Sequence, residues 1–355
     1  MIRNKIDHFC NSSGYVVDDD IICIWNKLVE NQLHEISHDM YLKWYQLLKI
    51  KFNHDIIILD ESQDSTPCIL SMIMSQKHCT RIIIGDIHQQ IYKFRGVCDP
   101  FEAIVHIRDY SFTLTTSFRY GKKLAQVTSI FLKTFKNEQY DIRSYTDNTE
   151  IKIASKDISK LEKGTVILSR TNMRLFENLL TCYLNKKTIY IMNRKINCEK
   201  ESSIICDFLN LQKNRRGNIT SKKLQIFEDY EQMKQFFIET ENIKWRLRMK
   251  LFELYGPILK TYWDDIDKFI VNIDDADCVL STVHQTKGME FDSVYMSDDF
   301  SKIKYDEEGN VRNIKCEHDN YNLIYVALTR ARYNLYITSD IYEFIYLKRQ
   351  DHFLN

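Results

Sequence analysis

Two short apolar runs that end in acidic residues constrain the fold of this chain more than any other feature. The first is IIIL at residues 56–59, followed by Asp60, and the second is RIIIG at residues 81–85, followed by Asp86. Unbroken apolar runs of this length are typical of strands buried on both faces, as in parallel sheets. Helical spacing at Thr66–Ser75 separates the two runs. This alternation of strand, acid and helix predicts an α/β fold built on a parallel sheet.

The same alternation continues along the chain. Helical spacing precedes the first strand, at Ile21–Leu33 and Asp39–Ile50. Residues 199–275 are charged, mostly helical in pattern and poor in strand signals, which predicts an inserted helical subdomain. Further strands are predicted at Ser111–Thr115, Thr165–Leu168, Thr188–Ile191, Cys278–Thr282, Ser293–Met296 and Leu335–Thr338, with helices at Gly121–Phe135, Asn172–Leu184 and Tyr321–Ala331.

The composition excludes several classes of protein. The 49 Lys and Arg residues balance 49 Asp and Glu residues, so any nucleic-acid contact must come from a local groove rather than from net charge. No apolar run approaches the roughly 20 residues that span a bilayer, and residues 1–20 lack the pattern of a signal peptide. We therefore expect no membrane partner. The 10 cysteines include no C-x-x-C pair, which argues against a zinc ribbon and predicts free thiols in an intracellular compartment, cytoplasmic or nuclear.

The first strand ends in a pair of carboxylates. The run ILDESQD at residues 58–64 places Asp60 and Glu61 at the carboxyl end of the strand, where the active groups of parallel sheets lie. One carboxylate can hold Mg²⁺ through water, and the other can orient or deprotonate an attacking water molecule. Taken alone, the pair is better explained as an acidic surface turn.

Five segments together resemble a known family. They are ILDESQD at 58–64, GDIHQQIYKFRG at 85–96, TTSFRYG at 115–121, TVHQTKGMEFD at 282–292 and YVALTRAR at 325–332. In this order they resemble motifs two to six of the UvrD/Rep-type superfamily 1 DNA helicases. Within the family, the segments SHDMYLK at 37–43, DSTPC at 64–68 and SRTN at 169–172 most resemble the F-box DNA helicases, although no F-box-like segment is visible. The resemblance implies RecA-like parallel-sheet motor domains, the first of them incomplete, and a small helical insertion.

The resemblance also implies a site for ATP and Mg²⁺. Asp60 would hold the metal ion, Glu61 would be the base for water, and Gln89 would sense the γ-phosphate. Two arginine fingers would neutralise charge in the transition state, and such a residue is worth about 10³–10⁵ in rate. The fingers would be Arg119 and Arg330. Phe118, where the family usually has Tyr, would stack on adenine, and Glu290 would bind the ribose. Lys287 and Gly288 are also assigned to the nucleotide.

A path for single-stranded DNA is implied by the third and fifth motifs. Tyr92 and Phe94 alternate with Lys93 and Arg95, and His284 lies in the fifth motif. Aromatic rings stack on bases without reading their sequence, while cations meet phosphates. Without the motif, Phe94 would be read as a core residue and Arg95 as an ion-pair partner. Within the motif we predict that Tyr92, Phe94, Arg95 and His284 contact the strand.

Two basic clusters fall in the helical stretch, and the sequence leaves their role open. One combines Lys213, Arg215 and Arg216 with Lys222 and Lys223, and the other is KWRLRMK at residues 244–250. They could grip duplex DNA, but a solvated helical face is slightly favoured.

The phosphate-binding loop is missing from this sequence. Its pattern G-x-x-x-x-G-K-[ST] supplies backbone N–H groups and a lysine that cradle phosphates. The one Gly-Lys pair, Gly121-Lys122, is followed by Lys123 and has Thr116 at the leading glycine position. We expect the strand at 56–59 to lose a neighbour and part of its cover, and an open apolar edge invites pairing with another chain. The chain is therefore predicted not to be a self-sufficient motor, being either the product of a split or truncated gene or the partner of a polypeptide that carries the missing half.

Two functions remain open from sequence. One is an ATP-dependent helicase that moves 3′ to 5′ on single-stranded DNA, completed by a P-loop segment. The other is a non-catalytic single-strand-binding or regulatory remnant. In both cases we expect a truncated first RecA-like domain at residues 1–120, a second at 121–198 and 276–355, and a helical insertion at 199–275.

Overall fold

The computed structural model divides into two compact units, residues 1–112 and residues 113–355. It describes residues 36–155, 157–192, 197–240, 242–300 and 318–353, together with residues 23, 25–27, 30, 302, 303 and 311. The helix predicted at residues 21–33 falls mostly outside these residues. Within them, no helix combines the length and the apolar character needed to cross a bilayer.

Among residues 36–112, the first unit contains a two-stranded parallel sheet and three α-helices. Strands β1 and β2 pair from Ile56 opposite Thr80 to Leu59 opposite Ile83. The first helix begins after Ser37, whose hydroxyl accepts a hydrogen bond from the Met40 N–H, as an N-cap does. The elements in chain order are α1 (His38–Leu48), β1 (Ile56–Leu59), α2 (Pro67–Met74), β2 (Thr80–Ile83) and α3 (Pro100–Ile104). The predicted positions of β1, β2, α1 and α2 are confirmed.

The prediction that β1 and β2 are buried on both faces is wrong. Alternate residues are open to solvent, with Ile56 at 57% and Ile58 at 60% exposure, and Ile82 of β2 is also exposed. An apolar run reports the side chains that a strand offers for burial, whereas burial itself requires neighbouring elements. In the described part of the first unit, no third strand or second helical layer covers this face. The side chains of β1 and β2 are therefore only partly buried by the described residues.

The strand predicted at residues 111–115 is also wrong. These residues form no strand, and Phe112 and Leu114 are almost fully exposed. Pairing begins only at Thr116, which forms an isolated bridge with Arg143. A β-strand needs a partner for its backbone groups, and apolar composition alone does not supply one.

The second unit is built on a six-stranded parallel sheet with the order β3-β8-β7-β4-β6-β5. Its central strands β4 and β6 are buried at every residue. The strands are β3 (Glu150–Ile153), β4 (Thr165–Ser169), β5 (Ile189–Ile191), β6 (Cys278–Thr282), β7 (Phe291–Met296) and β8 (Ala331–Ile337). The predicted α/β class with a parallel sheet is confirmed, although β3 was not predicted.

Helices cover this sheet and extend beyond it. Those nearest the sheet are α4 (Lys122–Lys136), α5 (Asn172–Leu184), the short α10 (Val283–Thr286), α11 (His318–Leu328) and α12 (Ser339–Phe353). The predicted helix at 321–331 therefore ends three residues early, because β8 begins at Ala331. Four further helices lie between β5 and β6, namely α6 (Cys198–Gln212), α7 (Tyr230–Glu239), α8 (Ile243–Tyr255) and α9 (Ile258–Ile266). Their buried residues, such as Phe208 and Trp263, share one apolar core with Leu175 of α5 and Leu280 of β6.

Candidate functional site

The carboxyl end of β1 presents the acid pair to solvent. Asp60 and Glu61 follow Leu59 directly, and both are exposed. The Glu61 N–H donates to Asp60 Oδ1 at 2.8 Å, and Gln63 Nε2 donates to Glu61 Oε2 at 2.5 Å. Glu61 has a φ of 49°, a left-handed conformation that non-glycine residues adopt at a cost and that is often found at functional sites. The turn thus fixes the direction of the Glu61 carboxylate and leaves Asp60 open to a ligand.

Gln63 ties the end of β1 to the end of β2. Its side-chain Oε1 accepts from the Asp86 N–H at 3.0 Å, while Ser62 N–H donates to the Ile84 carbonyl at 2.9 Å. Gly85 lies where the two strand ends approach, and a Cβ there would sit 2.5 Å from Gln63 Oε1. This close approach requires glycine. Sequence reasoning gave Gln63 no role, although the amide next to the acid pair was visible.

Gln89 is held by Asp86. Asp86 accepts from the His88 N–H through Oδ1 and from Gln89 Nε2 through Oδ2, both at 2.9 Å, and so caps the 3₁₀ helix Ile87–Gln89. The neighbouring Gln90 is buried and donates to the carbonyl oxygens of Gln63 and Cys98. Hydrogen bonds therefore connect Glu61, Gln63, Asp86 and Gln89 within the first unit.

The aromatic pair of the third motif, half-buried Tyr92 and exposed Phe94, lies beside an arginine. The Tyr92 and Phe94 rings meet edge to face at 6.1 Å, and the Arg95 guanidinium lies 5.0 Å and 5.9 Å from their centres. Phe94 is 75% exposed, so the alternative of a core residue does not hold. Burial raises the pKa of Tyr92, and Asp64 raises it further while Arg95 opposes the shift. The cluster offers flat apolar surface and positive charge at one place.

In the second unit, Arg119 contacts two of the other predicted motifs. Its Nε donates to Glu290 Oε2 at 3.1 Å, and its Nη1 donates to the Thr329 carbonyl at 3.1 Å. Arg332 lies on the other side of the same carboxylate, with its Nε 3.9 Å from Glu290 Oε1. Phe118 beside Arg119 is 84% exposed and faces the Tyr145 ring at 6.5 Å. Sequence reasoning assigned no role to Tyr145 or to Arg332.

The fifth motif forms the turn between α10 and β7. His284 lies half-buried in α10, and Lys287, also half-buried, follows that helix directly. Gly288 has a φ of 80°, and its surroundings are open, so the turn passes through a conformation that favours glycine. Glu290 closes the turn next to Arg119. The structure thus brings Arg119 and Glu290 into contact, while Lys287 and Gly288 lie in the same turn as Glu290.

Arg330 occupies the interior of the second unit. It is fully buried, and its guanidinium donates to the carbonyl oxygens of Val326 and Met289 and to Thr329 Oγ1, at 2.9 to 3.0 Å. In this structure it therefore holds the turn at Met289 against the end of α11. Its predicted contact with a phosphate stays a prediction.

The residues fit a magnesium nucleotide in part. Magnesium is bound by one or two carboxylates, several waters and substrate phosphates, which the exposed Asp60 carboxylate suits. Among the described residues, no group of three or more His, Cys, Asp and Glu side chains forms a metal cluster, so phosphates and water would complete the coordination. The exposed Phe118 ring suits a base, and the partly exposed Arg119 suits an anion.

Comparisons with known proteins agree with these motifs. Residues 175–341 match the family of the UvrD-like helicase C-terminal domain. The chain is 30% identical over 344 residues to "F-box DNA helicase 1" of Gallus gallus and 24% identical over 350 residues to "F-box DNA helicase protein 1" of Schizosaccharomyces pombe. Each alignment covers 90% of this chain but only 32% and 38% of the two relatives. The chain therefore spans about a third of the length of the curated relatives that it matches.

Proposed function

We propose, because this chain belongs to the UvrD-like superfamily 1 helicases, that it is the C-terminal portion of an ATP-dependent DNA helicase or translocase. It would couple ATP hydrolysis to 3′-to-5′ movement on single-stranded DNA. One observation carries the proposal more than any other. Hydrogen bonds join Glu61 through Gln63 and Asp86 to Gln89, and Gln89 lies three residues before the half-buried Tyr92 and its exposed aromatic partner Phe94. The proposed catalytic carboxylate and the proposed base-stacking surface would thus belong to one hydrogen-bonded segment.

Each unit would carry its own part of the nucleotide-binding machinery. Asp60 would hold Mg²⁺, which supplies positive charge to the phosphates when bound. Glu61, fixed by Gln63, would orient or deprotonate the attacking water, and Gln89 would respond to the terminal phosphate. In the second unit, the exposed Phe118 would stack on adenine, with Lys287, Gly288 and Glu290 near the ribose.

The two arginine fingers differ in their structural support. Arg119 is partly exposed and held by a surface carboxylate, so it can turn towards a phosphate at small cost. Arg330 is fully buried, and carbonyl oxygens occupy its guanidinium. We therefore assign the transition-state charge to Arg119 first. Arg330 would take that role only if its hydrogen bonds to Val326 and Met289 are exchanged.

Single-stranded DNA would lie on the cluster of Tyr92, Phe94 and Arg95. The two rings offer stacking surface, and stacking is worth about 1–3 kcal/mol per base without sequence preference. Arg95 adds positive charge beside them. Within the second unit, His284 would also contact single-stranded DNA.

The phosphate cradle must come from outside these 355 residues, because the sequence contains no G-x-x-x-x-G-K-[ST] pattern. A preceding segment of the same polypeptide or a separate polypeptide could supply it. The isoleucines of β1 and β2 support this, since Ile56, Ile58 and Ile82 stay exposed among the residues that the structure describes.

The second candidate is a non-catalytic single-strand-binding remnant. The missing cradle favours it for these residues alone. Against it, Asp60, Glu61, Gln89 and Arg119 are all present, and a binding module needs none of them for stacking. Adding a cradle distinguishes the two, because a remnant would stay inactive.

ATP hydrolysis tests the enzymatic part. We expect no DNA-stimulated turnover from the purified chain, and turnover when a polypeptide carrying the P-loop pattern is supplied. Glu61→Gln should abolish that turnover. Turnover by the chain alone that disappears in Glu61→Gln would overturn the need for an external cradle, and no turnover with the cradle would favour the remnant.

Single-strand binding tests the assigned DNA path. Fluorescence anisotropy with labelled oligo-dT should show binding that weakens at least about tenfold in the double variant Tyr92→Ala, Arg95→Ala. The control is Tyr110→Ala with Arg108→Ala, which removes an exposed tyrosine and an exposed arginine elsewhere in the first unit. Equal loss in both double variants would show that the cluster is not the path.

A further inference from the structure

A pocket of about 540 Å³ opens among the helices between β5 and β6, away from every motif residue described above. Lysines from three segments line it, namely Lys200 of α6, Lys222 and Lys223 of the loop after α6, and Lys244 of α8. Arg248 of α8 forms part of its wall. We call this site the lysine pocket. The fold divides each of the two basic clusters between this pocket and other positions. The members that do not line the pocket are Lys213, Arg215, Arg216, Arg246 and Lys250.

Two buried charged residues fix the walls of the lysine pocket. Asp207 is fully buried and accepts hydrogen bonds from the backbone N–H groups of Thr220 and Ser221 at 2.8 and 2.9 Å. This anchors the loop that carries Lys222 and Lys223. On the other side, Arg248 is nearly buried, pairs with Glu201 through two nitrogens, and lies 5.0 Å from the Trp245 ring centre. The lysine stems therefore project from a rigid frame.

Within the part of the chain that the structure describes, the lysines of the pocket lack ion-pair partners. Among the residues that the structure describes, no acidic side chain forms an ion pair with Lys200, Lys222, Lys223 or Lys244, whereas in the same helices Lys234 pairs with Glu253. Lys260 and Lys268 are likewise paired with aspartates. Glu199 is the acidic residue on the pocket lining, against five cations. Concentrated charge of one sign in a concave site focuses the field and favours a ligand of opposite sign.

We propose that the lysine pocket binds a ligand with clustered phosphate groups, as a second phosphate site separate from the ATP and single-strand sites. Lysine is a compact, mobile point charge that binds phosphate without requiring one fixed geometry. Several lysines around one concavity suit a ligand with adjacent phosphates better than a ligand with a single carboxylate. The pocket lies within the second unit and does not depend on the proposed hydrolysis.

Adjacent phosphates have two sources with the same chemistry. One is the backbone of duplex DNA, and the other is a free oligophosphate. Binding to the backbone falls with salt, and the slope of log K against log salt is about −0.9 for each neutralised phosphate.

The experiment compares two double variants with equal charge change. The pocket variant is Lys222→Gln with Lys244→Gln. The control is Lys213→Gln with Lys250→Gln, which changes exposed lysines of the same helices outside the pocket. Duplex binding is measured by anisotropy with a labelled blunt duplex of about 20 base pairs over a salt series, and tripolyphosphate binding by the shift of the melting temperature. A second pocket variant, Lys200→Gln with Lys223→Gln, must agree with the first, and circular dichroism checks that each is folded.

Three outcomes decide the proposal. If duplex affinity falls at least about tenfold in both pocket variants and the salt slope decreases by about 2, but not in the control, the backbone is the source. If duplex binding is equal in all proteins but tripolyphosphate raises the melting temperature of wild type and control only, a free oligophosphate is the source. If neither probe distinguishes the pocket variants from the control, the proposal is overturned. Loss of oligo-dT binding in the Tyr92 and Arg95 variant would leave all three outcomes unchanged.

Discussion

Two short strands that share apolar residues, one from each sheet of this molecule, differ in the burial of their side chains. β1 is wholly apolar and β4 has an apolar centre, Val166–Leu168, yet Ile58 of β1 is 60% exposed while Ile167 of β4 is fully buried. β4 pairs on one side with β6 and on the other with β7, whereas β1 pairs only with β2 among the described residues. The comparison teaches that the sequence of a strand sets its capacity for burial, and its neighbours decide whether that capacity is used.

The largest test of this contrast is a pair of isoleucine truncations. Ile167→Ala removes a buried side chain between two paired strands and should cost about 2–5 kcal/mol. Ile58→Ala should cost less than about 1 kcal/mol, because most of its side chain is already in water. Native-state hydrogen exchange, followed in peptides from β4 and β1, measures each effect in its own unit. Equal losses would break the comparison and show that the exposed face of β1 is covered in solution.

A second test asks whether buried Arg330 stabilises the second unit or acts in catalysis alone. Arg330→Ala should destabilise the second unit by about 3 kcal/mol, because buried acceptors at Val326 and Met289 lose charged donors. Arg119→Ala, which removes a surface ion pair, should cost less than about 1 kcal/mol. Urea unfolding followed by circular dichroism measures both. If Arg330→Ala proves as mild as Arg119→Ala, the interior position of its guanidinium is not structural.

The first unit should be tightly packed at Gly85, although one face of its sheet is exposed. In Gly85→Ala the new Cβ would lie 2.5 Å from Gln63 Oε1 and 2.6 Å from Ser62 Oγ, so we expect a loss of about 1–3 kcal/mol. Gly217→Ala meets no atom within 4 Å and serves as the control. Its effect should stay below about 1 kcal/mol and could be stabilising. Thermal unfolding compares the two, and a neutral Gly85→Ala would mean that the ends of β1 and β2 separate easily.

The smallest expected effect is on the stability of the second unit at low pH. The Thr188 backbone N–H, helped by the Thr188 hydroxyl, lowers the pKa of Asp277 below its ordinary value of 3.8. The stability that this carboxylate gives the second unit is therefore present above pH 3.8 and is lost as the pH falls through its lower folded-state pKa. Asp277→Asn should destabilise the unit at neutral pH, with a difference from wild type that shrinks on acidification. Melting temperatures from pH 7 to pH 2.5 (roughly the window that the shift spans) measure this, with the exposed Asp274→Asn as control. A difference that does not change with pH would contradict the assigned cause.

Local patterns predicted the elements well and their surroundings poorly. The bounds of α5 and β6 were predicted as the structure has them, because caps and turns next to the strand and helix are encoded nearby. The strand at 111–115 failed because pairing depends on residues far away in the chain. β3 was missed since its four residues, EIKI, mix charge with apolar character.

The candidate site divides in the same way. Family motifs located Asp60, Glu61, Gln89 and Arg119, but they say nothing of what holds those side chains. The contacts of Gln63 and Gln90 and the burial of Arg330 depend on the packing of several segments, which no local pattern contains. The separation of the basic clusters into pocket and non-pocket lysines likewise required the fold.

The strand order of the large sheet also governs how the molecule can be made. Edge strand β3 pairs with β8, so Glu150 meets Asn334, and β4 acquires its two neighbours only from β6 and β7. A ribosome emits residues from the N-terminus, and each of these pairings closes a long loop, which slows folding. The apolar residues of β4 must therefore wait, unpaired, until more than 100 later residues have emerged (Ile167 meets Leu280 and Tyr295). During that interval the nascent chain is exposed to aggregation, and chaperone binding to β4 would be the expected protection.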